Sequence, residues 1–265
     1  MRQEVLVEYT NVRLEKENRV ATIWLNRPDT LNALSPEVLE ELSMRVAEAG
    51  GDQSIKALVI RGEGRAFCAG ADLTHFQSTF DDPSLLPEYL AQIKNALCQI
   101  EELPIPAIAV VHGFALAGGL ELMMACDMAL VADDARIGDQ HVNFGLMPGG
   151  GSTQRLPRRV GLQRAMELLT TGRWLSGAEA AEWGLALRSV PAEGLDEELE
   201  KLLNPLRTKS REGLSLIKSV TLRGMSLPIN DGVALESHAF VQYMTTSPHP
   251  AEGIKAFKEK RQPEF

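Results

Sequence analysis

Residues 112–127 read HGFALAGGLELMMACD and combine two features that ordinary core sequences avoid. The stretch is apolar enough to predict burial, yet it carries Gly118, Gly119 and Glu121. Glycine weakens a helix or strand, and a buried glutamate is costly unless it is paired. Because such local conflicts are typical of functional sites, this segment is the first candidate for one.

The glycines at 118 and 119 have a chemical use if a helix begins there. Backbone N–H groups at a helix start can approach a ligand closely, and the partial positive charge favours an oxyanion. A second glycine-containing turn, RAFCAGADL at residues 65–73, offers another outward N–H. Two such donors facing one carbonyl oxygen form an oxyanion hole. Glu121 would then act on a nearby proton, with a pKa raised by its apolar neighbours, although a surface glutamate after an ordinary turn fits the same residues.

The composition of the 265 residues indicates one large domain, or a domain with an appendage. The formal net charge of -9 argues against a nucleic-acid-binding protein. Three cysteines without paired metal-ligand spacing argue against a disulfide framework and fit a reducing cytosol. The first residues, MRQEVLVEYTNV, lack an apolar h-region, and no apolar run is long enough to span a membrane. We therefore expect a cytoplasmic protein without a membrane partner.

The first two thirds of the chain alternate strand and helix patterns. Predicted strands at residues 20–26 and 55–62 flank a helix at 36–51, which Ser35 caps, Pro36 begins and Gly50 with Gly51 ends. A helix at 84–103 and strands at 106–113 and 127–133 repeat the theme. The alternation predicts an α/β fold, with a core over residues 1–193.

The last third changes character. Amphipathic helical patterns cover residues 196–206, 211–225, 231–244 and 251–261. This predicts a separate helical region over residues 194–265 that packs against something.

Two further motifs are weaker. MPGGGSTQRL at residues 147–156 lacks the lysine of a Walker A loop and is interpreted as a tight turn before a helix. His141 is the one histidine in a turn-rich segment between the two glycine motifs. The other histidines have no metal-ligand spacing with it, so we expect no metal site.

Taken together, these segments resemble the enoyl-CoA hydratase/isomerase, or crotonase, superfamily. The matching pieces occur in order along nearly the whole chain: LNRPDTLNAL, RAFCAGADL, HGFALAGGLELMMACD, GLMPGGGSTQRLPRRVG, TGRWLSGAEAAEWGL and GIKAFKEKR. The resemblance implies a crotonase-like β-β-α superhelical (spiral) core and a C-terminal helical trimerisation region. It also implies a homotrimer, or a homohexamer formed as a dimer of trimers.

The resemblance implies roles for individual residues. Ala71 and Gly118 match the two N–H donors of an oxyanion hole that grips a thioester carbonyl, and Glu121 matches the first of two catalytic glutamates. Ala69 and Leu73 flank the segment that resembles the adenine and pantetheine groove. Asp72 is implied as a structural partner for that loop, and Ala33 and Leu34 lie on the opposite wall of the implied groove. Gly119 is implied beside the bound carbonyl. Phe257 and Lys260 are implied to approach CoA from a neighbouring subunit.

The sequence departs from the hydratase pattern at one position. An ungapped alignment of residues 135–156 puts His141 where the second catalytic glutamate of typical hydratases stands. A Glu121/His141 pair remains chemically competent, because a neutral histidine exchanges protons near pH 7. Asp139 would supply a carboxylate only if the loop were displaced, and its alternative role is loop capping.

These observations favour an enzyme that adds water reversibly to a 2-enoyl-CoA, with coenzyme A as part of the substrate and no separate cofactor. Two alternatives stay open. One is an isomerase, hydrolase or decarboxylase acting on another acyl-CoA, with His141 as base or proton shuttle. The other is a non-catalytic family member, against which Gly118, Glu121 and the CAGAD motif argue.

Overall fold

The computed structural model describes residues 10–265. Most of the N-terminal residues from which the sequence predicts no export signal lie outside this range. The chain is mixed α/β, as predicted. Its nine strands are β1 (Val12–Glu17), β2 (Val20–Leu25), β3 (Ala57–Gly62), β4 (Ala107–Val111), β5 (Phe114–Leu116), β6 (Met128–Ala132), β7 (Arg136–Gly138), β8 (Leu175–Ser176) and β9 (Arg188–Val190) within this range.

The helices predicted at residues 36–51 and 84–103 and in the last third of the chain are confirmed to within a few residues. The helices of the described residues are α1 (Pro36–Gly51), α2 (Leu73–Asp81), α3 (Leu85–Glu102), α4 (Gly118–Ala125), α5 (Ser152–Val160), α6 (Leu162–Thr171), α7 (Gly177–Glu182), α8 (Leu195–Arg207), α9 (Arg211–Gly224), α10 (Ile229–Thr246) and α11 (His249–Glu259). Of these, α2, α6 and α7 were not predicted. Short 3₁₀ helices cover Pro28–Thr30, His141–Phe144 and Ala192–Gly194.

The main sheet has the strand order β1-β2-β3-β4-β6-β9. β1 and β2 pair antiparallel, and the other neighbours pair in parallel. A smaller sheet has the order β5-β7-β8. Every residue of β4 is buried, which is typical of a parallel strand covered on both faces. Because parallel strands end at one edge, the segments after β3 and β4, residues 63–72 and 112–117, lie near each other.

Helix α1 forms for the reasons that its sequence indicates. Ser35 Oγ accepts a hydrogen bond from the Val38 N–H at 3.4 Å, and Pro36 takes the first helical position. The apolar face of the helix, including Leu39 and Leu42, is buried against the sheet.

Replacing the capping residue is a test of this account. Ser35→Ala is expected to lower the free energy of unfolding by about 1 kcal/mol, because an amide of the first turn loses its acceptor. Urea denaturation measures the change, with Ser226→Ala, at an exposed position, as the control. Equal destabilisation by the two substitutions would contradict the capping role.

The C-terminal helices dock on the core of the same chain through a buried cation. Lys218 of α9 lies 2.8 Å from Asp127 and donates to the carbonyls of Ile100 at 3.0 Å and Ile105 at 3.2 Å. Both groups of the ion pair are partnered, so this contact fixes α9 beside the ends of α3 and β6.

The outer faces of the C-terminal helices are apolar and exposed. None of the residues of α10 is buried. The exposed apolar side chains of α9 to α11 include Ile217, Leu222, Ile229, Val233, Phe240, Val241, Met244, Ile254 and Phe257. The division at residues 193 and 194, with trimerisation through the second part, stays a prediction.

Candidate active site

The backbone amides of Ala71 and Gly118 lie side by side. Leu34 pairs with the segment around Ala71, accepting from the Asp72 N–H at 3.2 Å and donating to the Gly70 carbonyl at 2.8 Å. Successive groups of an extended chain alternate in direction, so the Ala71 N–H points away from Leu34. Gly118 is the first residue of α4, where an N–H has no partner within the helix. Within residues 10–265, neither N–H donates a hydrogen bond to the protein.

The distance between the two segments is small. A β-carbon built on Gly118 would lie 3.3 Å from the Ala71 nitrogen and 3.4 Å from the Gly70 α-carbon. The two unpartnered amides are therefore close neighbours, and a side chain at position 118 would lie against the Ala71 nitrogen.

A strained turn begins α4. Ala117 has φ 50° and ψ -115°, a conformation that glycine adopts more easily. Its N–H donates to the Gly138 carbonyl at 3.0 Å, which ties the turn to β7. The strain allows the chain to reverse from β5 into α4 within one residue, so that the Gly118 N–H lies at the edge of the site.

Gly119 is required by packing. A β-carbon at this position would lie 2.0 Å from the Cys68 carbonyl oxygen, which is part of the backbone and cannot move away easily. The absence of a side chain therefore lets α4 approach the segment that contains Ala71. The implied contact of Gly119 with substrate stays a prediction.

Glu121 is a buried acid whose carboxylate meets the glycine loop. Glu121 is 2% exposed, and its Oε1 accepts a hydrogen bond from the Ser152 N–H at 2.9 Å. A β-carbon on Gly150 would lie 2.3 Å from Glu121 Oε2, so a side chain at position 150 would displace this carboxylate. Burial raises the pKa of Glu121, and the hydrogen bond from Ser152 opposes that shift only in part.

The glycine loop is more than the tight turn that the sequence predicted. Gly151, with φ 110°, begins α5, and the guanidinium of Arg155 donates to the Gly150 carbonyl. Arg155 is itself held by Glu101 through two hydrogen bonds, at 2.7 and 2.8 Å. The loop thus presents the Ser152 N–H to Glu121. Sequence reasoning missed this role of Gly150 and Ser152, and the only signal for it was the run of three glycines.

His141 is paired with Asp139 and interacts electrostatically with Glu121. Its Nδ1 is 2.8 Å from Asp139 Oδ1, and the Asp139 side chain is fully buried. Burial disfavours the imidazolium, but the hydrogen bond that its ring donates to Asp139 and the negative charges of Asp139 and Glu121 outweigh this effect and raise the pKa of His141. The site therefore combines a buried carboxylate with a histidine whose protonated form is stabilised by nearby negative charge.

The segment predicted to bind CoA surrounds the Ala71 amide. Ala33 and Leu34 are buried, and Ala69 donates to the Leu31 carbonyl at 3.0 Å. Asp72 begins α2 by accepting from the Thr74 and His75 amides. It also forms an ion pair with Arg27 at 2.9 Å. These bonds agree with the structural role expected for Asp72.

Three of the residues predicted to bind CoA are exposed: Leu73, Phe257 and Lys260. Leu73 is 63% exposed and Phe257 is 84% exposed. Lys260 follows α11 in the left-handed conformation, with φ 54°. Within the described part of this chain no hydrogen bond or ion pair joins Phe257 or Lys260 to the other site residues, and the resemblance implies that they act on a neighbouring subunit. Their roles, like those of the other site residues, stay predictions.

Other features of the described residues lie elsewhere. A cavity of about 700 Å³, lined by Arg19, Lys56 and Arg211 among others, lies at the amino ends of β2 and β3, opposite the site. No group of three or more histidine, cysteine, aspartate or glutamate residues in the described chain has the arrangement of a metal site. Over the same range, every helix is too short or too polar to cross a bilayer.

The chain matches a family model and many curated proteins. The model described as Enoyl-CoA hydratase/isomerase matches residues 15–265. The "Probable enoyl-CoA hydratase echA8" of Mycobacterium bovis is 35% identical over 258 residues, covering 97% of this chain and 98% of the relative. The "Crotonyl-CoA hydratase" of Syntrophomonas wolfei is 36% identical over 258 residues, with the same coverage of both proteins.

Solved structures agree with this assignment. An enoyl-CoA hydratase from Bacillus anthracis superimposes with a TM-score of 0.92 at 33% identity, covering 96% of this chain and 98% of that one. Pseudomonas aeruginosa DspI superimposes with a TM-score of 0.92 at 26% identity, and each chain is covered completely. The predictions of a crotonase-like fold and of an enzyme of this type are confirmed. The chain therefore belongs to the enoyl-CoA hydratase/isomerase family.

Proposed function

We propose that the protein catalyses the reversible addition of water to a 2-enoyl-CoA thioester. The observation that carries this proposal is the close approach of the unpartnered Ala71 and Gly118 amides, next to a helix whose fourth residue is the buried acid Glu121. The names of the relatives support the same reaction, since they include crotonyl-CoA hydratase and short-chain-enoyl-CoA hydratase.

In this proposal the two amides bind the thioester oxygen. Water adds to Cβ of the conjugated double bond, and the electron pair of that bond moves through Cα onto the carbonyl oxygen. Donors fixed by the fold stabilise this charge without reorganising, which is the largest single contribution to catalysis in many enzymes of this kind. Ala71 is held by its pairing with Leu34, and Gly118 by the strained turn at Ala117.

Glu121 and His141 perform the proton transfers. The Glu121 carboxylate takes one proton from the attacking water as the carbon–oxygen bond forms. The imidazolium of His141 gives one proton to Cα, which completes the 3-hydroxyacyl thioester. Return of the Glu121 proton to His141 through solvent restores the starting state, so the cycle consumes one water and needs no redox partner. The raised pKa values of both groups fit these roles, because a higher pKa makes the Glu121 carboxylate a stronger base and favours the imidazolium form of His141.

We propose that coenzyme A lies along Ala33, Leu34, Ala69, Asp72 and Leu73. CoA belongs to the substrate here, and the mechanism uses no separate cofactor or metal. Asp72, through its bonds to Arg27 and to the start of α2, keeps the loop that carries the Ala71 amide in place. Phe257 and Lys260 would complete the groove from a second subunit.

The exposed apolar faces of α9 to α11 support assembly of several copies. Large apolar side chains on adjoining helices are the usual mark of an interaction surface. We propose a cytoplasmic homotrimer or homohexamer, which light scattering after gel filtration distinguishes from a monomer.

A second reaction, double-bond isomerisation, is favoured by one observation. In the ungapped match of residues 135–156 to the family pattern, His141 falls at the position of the second glutamate of typical hydratases, which implies that the machinery is not the usual pair of carboxylates. An isomerase moves one proton between Cγ and Cα and takes up no water.

Product mass separates the two reactions. The purified protein is incubated with a panel of 2-enoyl-CoA and 3-enoyl-CoA thioesters of several chain lengths, in water and in D₂O. Hydration predicts loss of the conjugated absorbance and a product heavier by one water, whereas isomerisation predicts an unchanged mass in ordinary water. Failure to hydrate any 2-enoyl-CoA in the panel would contradict the proposal.

A further inference from the structure

Asp139 has two kinds of contact with His141. Its Oδ1 accepts from the His141 main-chain N–H at 3.3 Å, which is the loop-capping bond that the sequence suggested. The same oxygen lies 2.8 Å from the ring nitrogen Nδ1, a contact that capping does not require. The side chain is fully buried, and its second oxygen, Oδ2, has no hydrogen-bond partner in the described protein.

A buried carboxylate with an unpartnered oxygen is costly, and loop capping alone does not offset this cost. The ring contact gives the carboxylate a further role. A carboxylate beside Nδ1 keeps the proton on that nitrogen, which leaves Nε2 as the nitrogen for proton exchange. It also stabilises the imidazolium that forms when His141 is protonated.

The flanks of this pair are rigid. Gln140 donates through Nε2 to the Gly172 carbonyl at 2.9 Å. Asn143 donates through Nδ2 to Gln140 Oε1 at 2.9 Å and to the same carbonyl at 3.0 Å. The segment that carries His141 is therefore tied to the end of α6 on both sides, and the ring is held between a fixed backbone and Asp139.

We infer that Asp139 is a positioning residue, which holds the His141 ring in one orientation and tautomer so that Nε2 exchanges protons at the reacting carbons. The inference rests on the proposed function for its catalytic consequence. It makes the second proton-transfer group of this chain an Asp139–His141 pair, supplied by one short segment, in place of a single carboxylate.

The test combines kinetics with nitrogen NMR of the histidine ring. Asp139→Asn preserves shape but removes the charge, and it is expected to lower kcat at least about tenfold with little change in KM; in serine-protease triads the corresponding change costs about 10⁴-fold. In ¹⁵N-histidine-labelled protein, the neutral His141 ring of the wild type is expected to carry its proton on Nδ1. In Asp139→Asn this preference and the high pKa of His141 are expected to be lost.

A matched control is Asp134→Asn, at an exposed aspartate before β7, which should change neither the spectrum nor kcat. A fall in kcat with an unchanged ring spectrum would overturn the inference, and so would an altered spectrum with wild-type kcat. The wild-type spectrum alone shows which ring nitrogen of His141 carries the proton. It therefore tests the inference even if the protein hydrates no enoyl-CoA or Asp139→Asn does not fold. A neutral ring with its proton on Nε2 would overturn the inference in either case.

Discussion

Gly118→Ala is expected to fold like the wild type and to lose about 10²–10³-fold in kcat, the usual cost of losing one oxyanion donor. The added methyl group would lie 3.3 Å from the Ala71 nitrogen and 3.4 Å from the Gly70 α-carbon, distances that the backbone tolerates with a small shift. It would nevertheless lie beside the Ala71 amide, where the proposed oxyanion hole binds the thioester oxygen. The thioester oxygen could then no longer reach the two donors together.

Two other glycines provide the controls. Gly119→Ala places its methyl group 2.0 Å from the Cys68 carbonyl oxygen, so it is expected to lower the melting temperature as well as the activity. Gly51→Ala meets nothing within 4 Å and should leave kcat unchanged. Wild-type kcat in a folded Gly118→Ala protein would contradict the assignment of the oxyanion hole.

Glu121→Gln is expected to lower kcat by about 10²–10⁴-fold, because the amide cannot take the proton from water. The substitution keeps the shape of the side chain and an oxygen that accepts from the Ser152 N–H. Stopped-flow or steady-state loss of the enoyl absorbance measures the change. Turnover by Glu121→Gln at the wild-type rate would contradict the role of this residue.

The same variant makes a prediction about stability and pH. Burial raises the pKa of Glu121, so the folded protein holds this proton more tightly than the unfolded chain does. Its ionisation therefore costs stability as the pH rises above the ordinary glutamate pKa, about 4.3. Glu121→Gln lacks this cost. Its free energy of unfolding relative to wild type should increase between pH 4 and 7, and parallel stability curves would contradict the raised pKa.

The elements whose signals are local were predictable from the sequence. The cap, the first proline and the apolar spacing of α1 all lie within one stretch, and the predicted bounds match the observed helix. The short apolar run of β4 likewise indicated a buried strand. Glu121 was identifiable because it places a charged side chain in an apolar stretch that predicts burial.

Other features depend on contacts between distant segments. Ser152 reaches Glu121 across 31 positions of sequence, and nothing in the loop itself indicates that its amide meets a carboxylate. The burial of Asp139 is also tertiary, since its own segment is turn-like and polar. The resemblance to the family located these loops, but only the fold brings the Glu121 carboxylate against Gly150.

The most direct test of the account is the infrared stretching frequency of the bound thioester carbonyl. A ¹³C-labelled 2-enoyl-CoA is bound to Glu121→Gln, which keeps both amides but turns over slowly. The account predicts a frequency clearly lower than in water, and return of that frequency toward the value in water when Gly118→Ala is added. A frequency in Glu121→Gln equal to that in water would contradict the claim that the Ala71 and Gly118 amides polarise the substrate.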